Sequence, residues 1–402
     1  MHRSEGRFLT THVGSLPRSP QLLAMLLAKE QGANVDEAAF RHQIEHDLKG
    51  VVDHQYGADI DIAGDGELPR IGFSFYVKDR MSGFGGVANR GTVTDFAKFP
   101  DFAALKLTSG SKLAKSATIY QAPECVARIE YDPRQAAARQ ELDAFAQALA
   151  TSGVQFRETF VTAATPGIIS TTLLRSRERP PYASDRDYLF ALADELRKEY
   201  ELIVSRGHVL QLDAPDLALE RQIMFVDQPL EAFLDRVKLH IEALNRALIN
   251  IPPDRVRLHV CWGNWDGPHI DDVELEPLLP LLYQARVGAL SLAGANPRHQ
   301  HDYKLFRRIP PPREMILIPG VIDVTNNYLE HPEVVADRIE RVAEALGDRS
   351  RVIASTDCGF STFAGYVMVG EDVAWEKTED HERRSASGIQ ETLVVGCYSG
   401  CS

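Results

Sequence analysis

The feature that most constrains the fold of this chain is an alternation of short β-rich segments with long amphipathic helical segments. Strands that alternate with helices in this way are typical of βα units, whose strands lie parallel in one sheet. The pattern predicts eight strands, at 8–15, 59–64, 155–162, 208–213, 256–262, 287–292, 315–320 and 351–356, with helices such as 35–57, 185–206, 229–248 and 332–346 between them. Eight βα units predict an α/β fold of the closed (β/α)8 TIM barrel type.

Two segments do not fit the simple repeat. A further strand is predicted at 116–121, followed by a helical run at 133–151, and we therefore expect about 85–152 to be an insertion between the second and third barrel strands. Residues 1–375 would then form one barrel domain, and 376–402, which lack clear periodicity, a poorly ordered C-terminal tail. An open doubly wound sheet is the alternative fold, but no glycine-rich phosphate loop follows the first strand.

Composition indicates which partners to exclude and which cellular compartment to expect. The formal net charge of −13 leaves no basic excess to neutralise phosphates, which argues against a nucleic-acid partner. No apolar run approaches the length of a membrane span, and the N-terminus has no apolar core of a secretory signal, so no membrane partner is expected. Five scattered cysteines form no disulfide framework. The predicted compartment is the cytoplasm, where thiols stay reduced.

The segment LHVCWGNWDGPH contains the strongest candidates for chemistry. His259 and Cys261 are two residues apart at the end of a predicted strand, so their side chains point to the same face at the mouth where barrel enzymes build their sites. A protein zinc site needs at least three ligands, and Cys358, at the end of the last strand, is the candidate third. A buried His-x-Cys pair is also compatible with ordinary strand packing, so both interpretations stay open here. The remaining cysteines, in the predicted insertion and tail, are not expected to be ligands: Cys125, Cys397 and Cys401.

Acidic residues follow several other predicted strands. Asp65 and Glu67 follow the second strand, Asp213 ends the strand at 208–213, and Asp323 follows the strand at 315–320. Each could cap a helix or lie in a solvated loop, which is common for aspartate in βα loops. Four carboxylates around one barrel mouth would suit recognition of an amino or hydroxyl group. We therefore expect carboxylates of this group, Asp323 among them, to bind substrate.

Motifs spread over the chain, as far as about Trp375, resemble the cobalamin-independent methionine synthase family in its single-barrel form. In chain order they are TTHVGSLPR, GDGE, FYVKDRMSGFGG, LQLDAPDL, RLHVCWGN, ANPRHQHD, LIPGVID and DCGFSTF. The resemblance implies a zinc-dependent S-methyltransferase of methionine biosynthesis, with Zn²⁺ bound by His259, Cys261 and Cys358. It also implies that Ser15, Glu67 and Asp213 bind the acceptor, which is homocysteine or a similar small thiol, while a separate alkyl donor supplies the group.

Two positions depart from the family pattern. Ala293 stands in SLAGANPRH where the family has a zinc-binding glutamate. Zinc would then keep three protein ligands and a water, or recruit His299, His301 or Asp302. Thr325 stands where the folate-using members have a histidine that protonates the departing folate nitrogen, and threonine cannot act as a general acid near neutral pH. A methyltetrahydrofolate donor is therefore not expected.

Three alternative functions remain open at this stage. The resemblance also covers enzymes that add coenzyme-M-type thiols to epoxides. Ala293 and the irregular tail instead favour a catalytically impaired barrel that binds a thiol or another small molecule. A metal-free relative of the uroporphyrinogen decarboxylases would need an arginine-lined pocket for a polycarboxylate, with Arg18, Arg70 and Arg298 as candidates.

Overall fold

The barrel is built from short, almost completely buried parallel strands. A computed structural model of the chain describes residues 1–88, 90–108 and 122–378. The strands in chain order are β1 (Leu9–Thr10), β2 (Ile62–Gly64), β3 (Met81–Gly85), β4 (Glu124–Tyr131), β5 (Glu158–Ala164), β6 (Val209–Asp213), β7 (Val256–Val260), β8 (Ala289–Leu292), β9 (Ile316–Ile322) and β10 (Ile353–Thr356).

Eight of these strands form one parallel sheet in the order β1-β10-β9-β8-β7-β6-β5-β2. A parallel bridge between Thr11 and Ile62 joins the two edge strands, so the sheet closes on itself. The predicted TIM barrel is confirmed. The carboxyl ends of all eight strands open at one mouth, and this places the segments that follow β1, β2, β6, β7 and β10 around a common space.

Helices surround the barrel and begin and end at ordinary capping signals. In chain order they are α1 (Pro20–Glu30), α2 (Glu37–Gly57), α3 (Thr94–Lys98), α4 (Pro100–Thr108), α5 (Ala136–Ser152), α6 (Pro166–Thr172), α7 (Asp185–Ser205), α8 (Leu230–Ala247), α9 (Leu275–Leu282), α10 (Leu305–Arg308) and α11 (Pro332–Leu346). In α11, for example, Pro332 occupies the first turn and Gly347 ends the helix in a left-handed conformation with φ 73°. None of the helices in the described ranges combines the length and the apolar character that a membrane span requires.

An insertion lies between the second and third barrel strands, as predicted. Its β3 and β4 pair antiparallel, and α3 and α4 lie between them in the chain. The helix α5, which falls within the predicted limits of the insertion at 85–152, packs against α2 and leads into the barrel strand β5. It therefore occupies the position of a barrel helix. The strand predicted at 116–121 lies outside the described residues.

The described part of the chain ends in a helical segment at 371–378. Lys377 is buried there, and its Nζ donates to the backbone oxygen of Asp323 at 2.9 Å and to the carboxylate of Glu330 at 2.8 Å. The first three residues of the predicted tail thus belong to a helix that is fixed to the barrel. The rest of that tail, 379–402, lies outside the described residues.

Candidate active site

Three predicted ligand residues meet at the mouth of the barrel. His259 lies on β7, Cys261 directly follows that strand, and Cys358 follows β10. One ligand atom from each lies within 4.8 Å of the others. His259 and Cys261 are buried, and neither ring nitrogen of the histidine has a hydrogen-bond partner by geometry in the described structure. Because a buried polar atom without a partner is costly, this imidazole is suited to bind an ion or a ligand.

The three groups also influence one another's protonation. A hydrogen bond from Cys358 holds the pKa of Cys261 well below its ordinary value, against the effect of burial, and neighbouring His259 adds to this. The same pairing, together with burial, raises the pKa of Cys358. Burial is the largest influence on the pKa of His259 and lowers it, but the hydrogen bond and charge of Cys261, together with the charge of Asp213, shift it upward overall. Cys261 is therefore the sulfur most readily available as an anionic metal ligand.

Ala293 borders this cluster. In the pairing of β7 with β8, His259 lies opposite Ser291 and Val260 opposite Leu292, so the next step places Ala293 beside Cys261. Alternate strand residues share a face, and Ala293 lines a cavity together with both cysteines. A longer side chain at this position could reach an ion bound by His259 and the two cysteines.

The proposed substitutes for a fourth ligand are engaged elsewhere. His299 lies between Asp272, with Nε2 2.8 Å from its carboxylate, and Asp302, with Nδ1 at 3.1 Å. Its ring also stacks on that of Trp262 with 3.8 Å between the centroids. His301 and Asp302 form a separate cluster with Glu274. None of these three predicted substitutes belongs to the cluster of His259 and the two cysteines, although His299 lines a cavity that both cysteines border.

Glu67 lies in the same cavity as the three ligand residues. One oxygen of its buried carboxylate accepts a hydrogen bond from Thr162 Oγ1 at 3.1 Å, and the other has no hydrogen-bond partner in the described ranges. Gly14, in the motif THVGS, gives this carboxylate its space, because a Cβ at that position would collide with Glu67 Oε1. Burial raises the pKa of Glu67, although Arg70 and Arg18 oppose the shift.

Asp213 lies close enough to Glu67 for the two charges to interact. Gln211 Nε2 donates to Asp213 Oδ1 at 2.8 Å, and Gln211 in turn accepts from buried Arg257 at 2.7 Å. Burial and the charge of Glu67 raise the pKa of Asp213 to about 7. Two buried carboxylates of this kind would be stabilised by a cation, such as a ligand ammonium group, placed between them.

Ser15 lines the same cavity, and its Oγ accepts a hydrogen bond from the backbone of Ser361 at 3.3 Å. The predicted substrate-binding residue Asp323 lies elsewhere. Its carboxylate accepts bonds from the backbone and the hydroxyl of Thr325, at 2.8 and 2.7 Å, and from the amide of Asn326 at 2.8 Å. Asp323 therefore fixes its own turn, and it lines a neighbouring cavity that does not contain Ser15, Glu67 or Asp213.

Two cavities thus meet at the cysteines. The first has a volume of about 1240 Å³, counting its part open to solvent, and holds Ser15, Glu67 and Asp213. The second has about 1160 Å³ on the same basis and holds Ala293, Asp323 and Thr325. Cys261 and Cys358 border both, as does Trp265, so an atom bound at the cysteines could be approached from two sides.

Sequence reasoning missed the residues that fix these ligands in place. Asp357, next to Cys358, accepts hydrogen bonds from the backbone of Gly294, Ala295 and Asn296 at 2.7 to 2.9 Å. This joins the segment after β10 to the segment after β8. The only signal in the sequence was that Asp357 is an acidic residue next to Cys358. Aspartate is also common as a helix cap, so this signal is weak.

The arginines considered for a polycarboxylate pocket do not form one. Arg18 donates to the backbone oxygens of Glu67, Leu68 and Arg70, and Arg70 pairs with Glu141. Arg298 is exposed and lines the second cavity, without the other two. In the described part of the chain, nothing supports the decarboxylase alternative.

Comparison with known sequences finds methionine synthases. No family model matches the chain. The methionine synthase of Thermococcus kodakarensis is 25% identical over 354 residues, which cover 87% of this chain and 86% of that protein. That of Sulfurisphaera tokodaii is 24% identical over 353 residues, covering 87% and 85%. The 2-hydroxypropyl-CoM lyase of Xanthobacter autotrophicus is 25% identical over 212 residues, covering 46% of this chain and 52% of that enzyme.

Solved structures agree on the fold. A B12-independent methionine synthase from Shewanella sp. W3-18-1, in complex with selenomethionine, matches with a TM-score of 0.68 at 17% identity and covers 97% of this chain and 100% of that one. A putative B12-independent methionine synthase from Listeria monocytogenes matches at 0.59 and 16% identity, covering 95% and 98%. The predicted resemblance to the cobalamin-independent methionine synthase family is confirmed.

Proposed function

We propose that this protein transfers a methyl or other alkyl group to the sulfur of a small amino-bearing thiol, with homocysteine as the expected acceptor. One observation carries the proposal: a His-Cys-Cys cluster within 4.8 Å borders the same cavity as two buried carboxylates, Glu67 and Asp213. The methionine synthases that cover most of the chain's length support the reaction type.

Zinc is the ion that this donor set favours. One imidazole and two thiols are ligands typical of Zn²⁺, and the ring nitrogens of His259 have no competing hydrogen bonds in the described structure. We propose that His259, Cys261 and Cys358 hold the ion. When bound, zinc would keep the acceptor sulfur as a thiolate that is nucleophilic at neutral pH.

The protein side chains would bind and orient the acceptor. Glu67 and Asp213 would accept hydrogen bonds from its ammonium group, and Gln211 holds Asp213 in place. The acceptor sulfur would then face the cysteines. In the transfer, an electron pair of this sulfur forms a bond to the alkyl carbon, the bond from that carbon to the donor breaks, and its electron pair stays on the leaving atom.

Thr325, which lines the second cavity, supplies no proton to a folate leaving group. The hydroxyl of Thr325 donates to Asp323 at 2.7 Å, and its own pKa is far too high for it to protonate an amine nitrogen. We therefore propose that methyltetrahydrofolate, with or without its glutamate chain, is a poor methyl source. Rapid turnover with that donor would contradict this part of the proposal.

Metal analysis followed by a thiol-consumption assay tests the proposal. We expect the purified full chain to hold about one zinc per molecule and to lose it on Cys261→Ser, because a neutral hydroxyl binds zinc far more weakly than a thiolate. Cys125→Ser, a buried cysteine away from the cluster, is the matched control. A protein that binds homocysteine equally well with and without zinc, and consumes none with any alkyl donor, would instead be the binding barrel.

A second candidate function rests on the similarity to the 2-hydroxypropyl-CoM lyase. There the nucleophile would be a sulfonate-bearing thiol and the electrophile an epoxide carbon. Such an acceptor has no amino group and would leave Glu67 and Asp213 without a cationic partner. The same assay distinguishes the two functions, because consumption of coenzyme M with an epoxide, but not of homocysteine, would favour the second.

A further inference from the structure

The first cavity has an apolar outer part, which we call the outer chamber: Phe96, Leu219, Ile223, Phe363 and Tyr366. Each of these side chains keeps part of its surface exposed, whereas Ser15, Glu67 and Asp213 at the inner end are buried. Apolar surface that remains accessible within a recess favours an apolar ligand, because covering it removes that surface from water. The outer chamber therefore suits a ligand group different from the amino-bearing acceptor that we propose for the inner end.

The wall that carries Phe96 is firmly attached. Asp95, its neighbour on α3, is buried and accepts hydrogen bonds from Trp265 Nε1 at 3.2 Å and from the backbone of His269 at 2.9 Å. Thr94 and Lys98 both bind Asp271, at 2.5 and 2.6 Å. The insertion is thus joined to the loop that follows Cys261, and this makes the outer chamber a formed site beside the cysteines.

The charges around the cavity argue against a polyanionic ligand. Arg90 is the only lysine or arginine among the described residues that line it, and its guanidinium is paired with buried Glu220. Among the described lining residues, a chain of carboxylates or phosphates would meet only this one guanidinium, whose charge Glu220 already balances although its Nε has no hydrogen-bond partner there. An uncharged or cationic ligand with a compact apolar body meets no such difficulty.

We propose, resting on the proposed function, that the outer chamber binds the body of the alkyl donor and that this body is a compact aromatic or branched apolar group. The acceptor would occupy the inner end, with its sulfur at the cysteines, and the donor would present its alkyl carbon from the outer chamber. Dimethyl(phenyl)sulfonium is a probe of this class. Its methyl carbon bonds to the acceptor sulfur, its carbon–sulfur bond breaks, and the electron pair stays on neutral thioanisole, so no proton is needed.

Binding of the leaving group alone tests the chamber without turnover. Fluorine NMR of 4-fluorothioanisole with the zinc-loaded full chain should show binding that thioanisole displaces and dimethyl sulfide or a pteroyltriglutamate does not. Phe96→Ala should weaken this binding about tenfold, because it removes most of one apolar wall, and Phe96→Leu should restore most of it. Phe190→Ala, a half-buried phenylalanine on α7 outside the cavity, is the matched control and should bind normally.

Equal displacement by dimethyl sulfide, displacement by the pteroyltriglutamate, or unchanged binding to folded Phe96→Ala would each overturn the proposal. A transfer assay tests the assignment to the donor: dimethyl(phenyl)sulfonium should have a lower KM than trimethylsulfonium in the methylation of homocysteine, and Phe96→Ala should abolish that difference. Equal KM values, or a difference that Phe96→Ala leaves unchanged, would overturn the assignment. Zinc content and homocysteine binding are measured in parallel. A protein that holds no zinc and binds no homocysteine, but still binds thioanisole in a way that Phe96→Ala weakens, would refute the transfer function. The apolar site would remain supported.

Discussion

The two cavities that meet at Cys261 and Cys358 differ in how their charged groups are satisfied. In the first, Glu67 and Asp213 are buried and close together, and one oxygen of Glu67 has no hydrogen-bond partner in the described structure. In the second, His299 is held between two carboxylates and Asp323 is held by its own turn. We infer from this difference that unmet polar capacity, and not the number of polar residues, marks the cavity where a charged ligand would bind.

Both cavities share the two cysteines, and changing one of them should have the largest effect. Cys358→Ser should lower the affinity for zinc by on the order of 10²- to 10³-fold, because one of three protein ligands becomes a neutral hydroxyl. Competition with a chromogenic chelator measures this. Cys125→Ser should leave zinc affinity unchanged, and an equal loss in both variants would indicate that the effect comes from folding and not from coordination.

The carboxylates of the first cavity give the next largest effect. Glu67→Gln should raise the KM for homocysteine about 100-fold, because a charge-assisted bond to a buried carboxylate is replaced by a neutral one. Steady-state kinetics with homocysteine, and binding of the desamino analogue 4-mercaptobutyrate, measure this. The analogue should bind both proteins alike, and a comparable loss of its binding would mean that Glu67 does not contact the amino group.

Ala293 allows the second cavity to be given the ligand that it lacks. Ala293→Glu should slow the loss of zinc to a chelator about tenfold, since an added carboxylate would supply a fourth protein ligand. Ala293→Gln, of the same size but neutral, is the matched control and should have much less effect. Unchanged retention in the glutamate variant would mean that residue 293 does not face the ion.

The barrel and the His259–Cys261 pair could be predicted because both depend on local periodicity, and Cys358 could be added because it follows the last strand of the predicted barrel. The apolar segment at 256–262 ends in His259 and Cys261, and the two-residue repeat of a strand is enough to place both side chains on one face. Strand limits were less accurate. The predicted strand 8–15 is only Leu9–Thr10 in the structure, and beyond it Val13 and Ser15 already line the first cavity.

The supporting contacts could not be predicted, because they join residues that are distant in the chain. Asp357 binds the segment that begins at Gly294, 63 residues earlier, and Arg257 holds Gln211 across 46 residues. No periodicity in the sequence encodes such pairs. The outer chamber is similar: Phe96 belongs to the insertion and Phe363 follows β10, so only the closed barrel brings them to one cavity.

Asp323 gives the smallest expected effect and the finest test of the comparison. Its position after a barrel strand predicted substrate binding, whereas its carboxylate is occupied by Thr325 and Asn326. Asp323→Asn should therefore change the KM for homocysteine by less than about threefold, while weakening the turn by about 1 kcal/mol of unfolding free energy, because bonds to a charged acceptor become bonds to a neutral one. Steady-state kinetics and denaturant unfolding measure the two quantities. A large rise in KM at unchanged stability would instead mean that Asp323 contacts the substrate, and that a carboxylate occupied by its own turn can still exchange those bonds for a ligand.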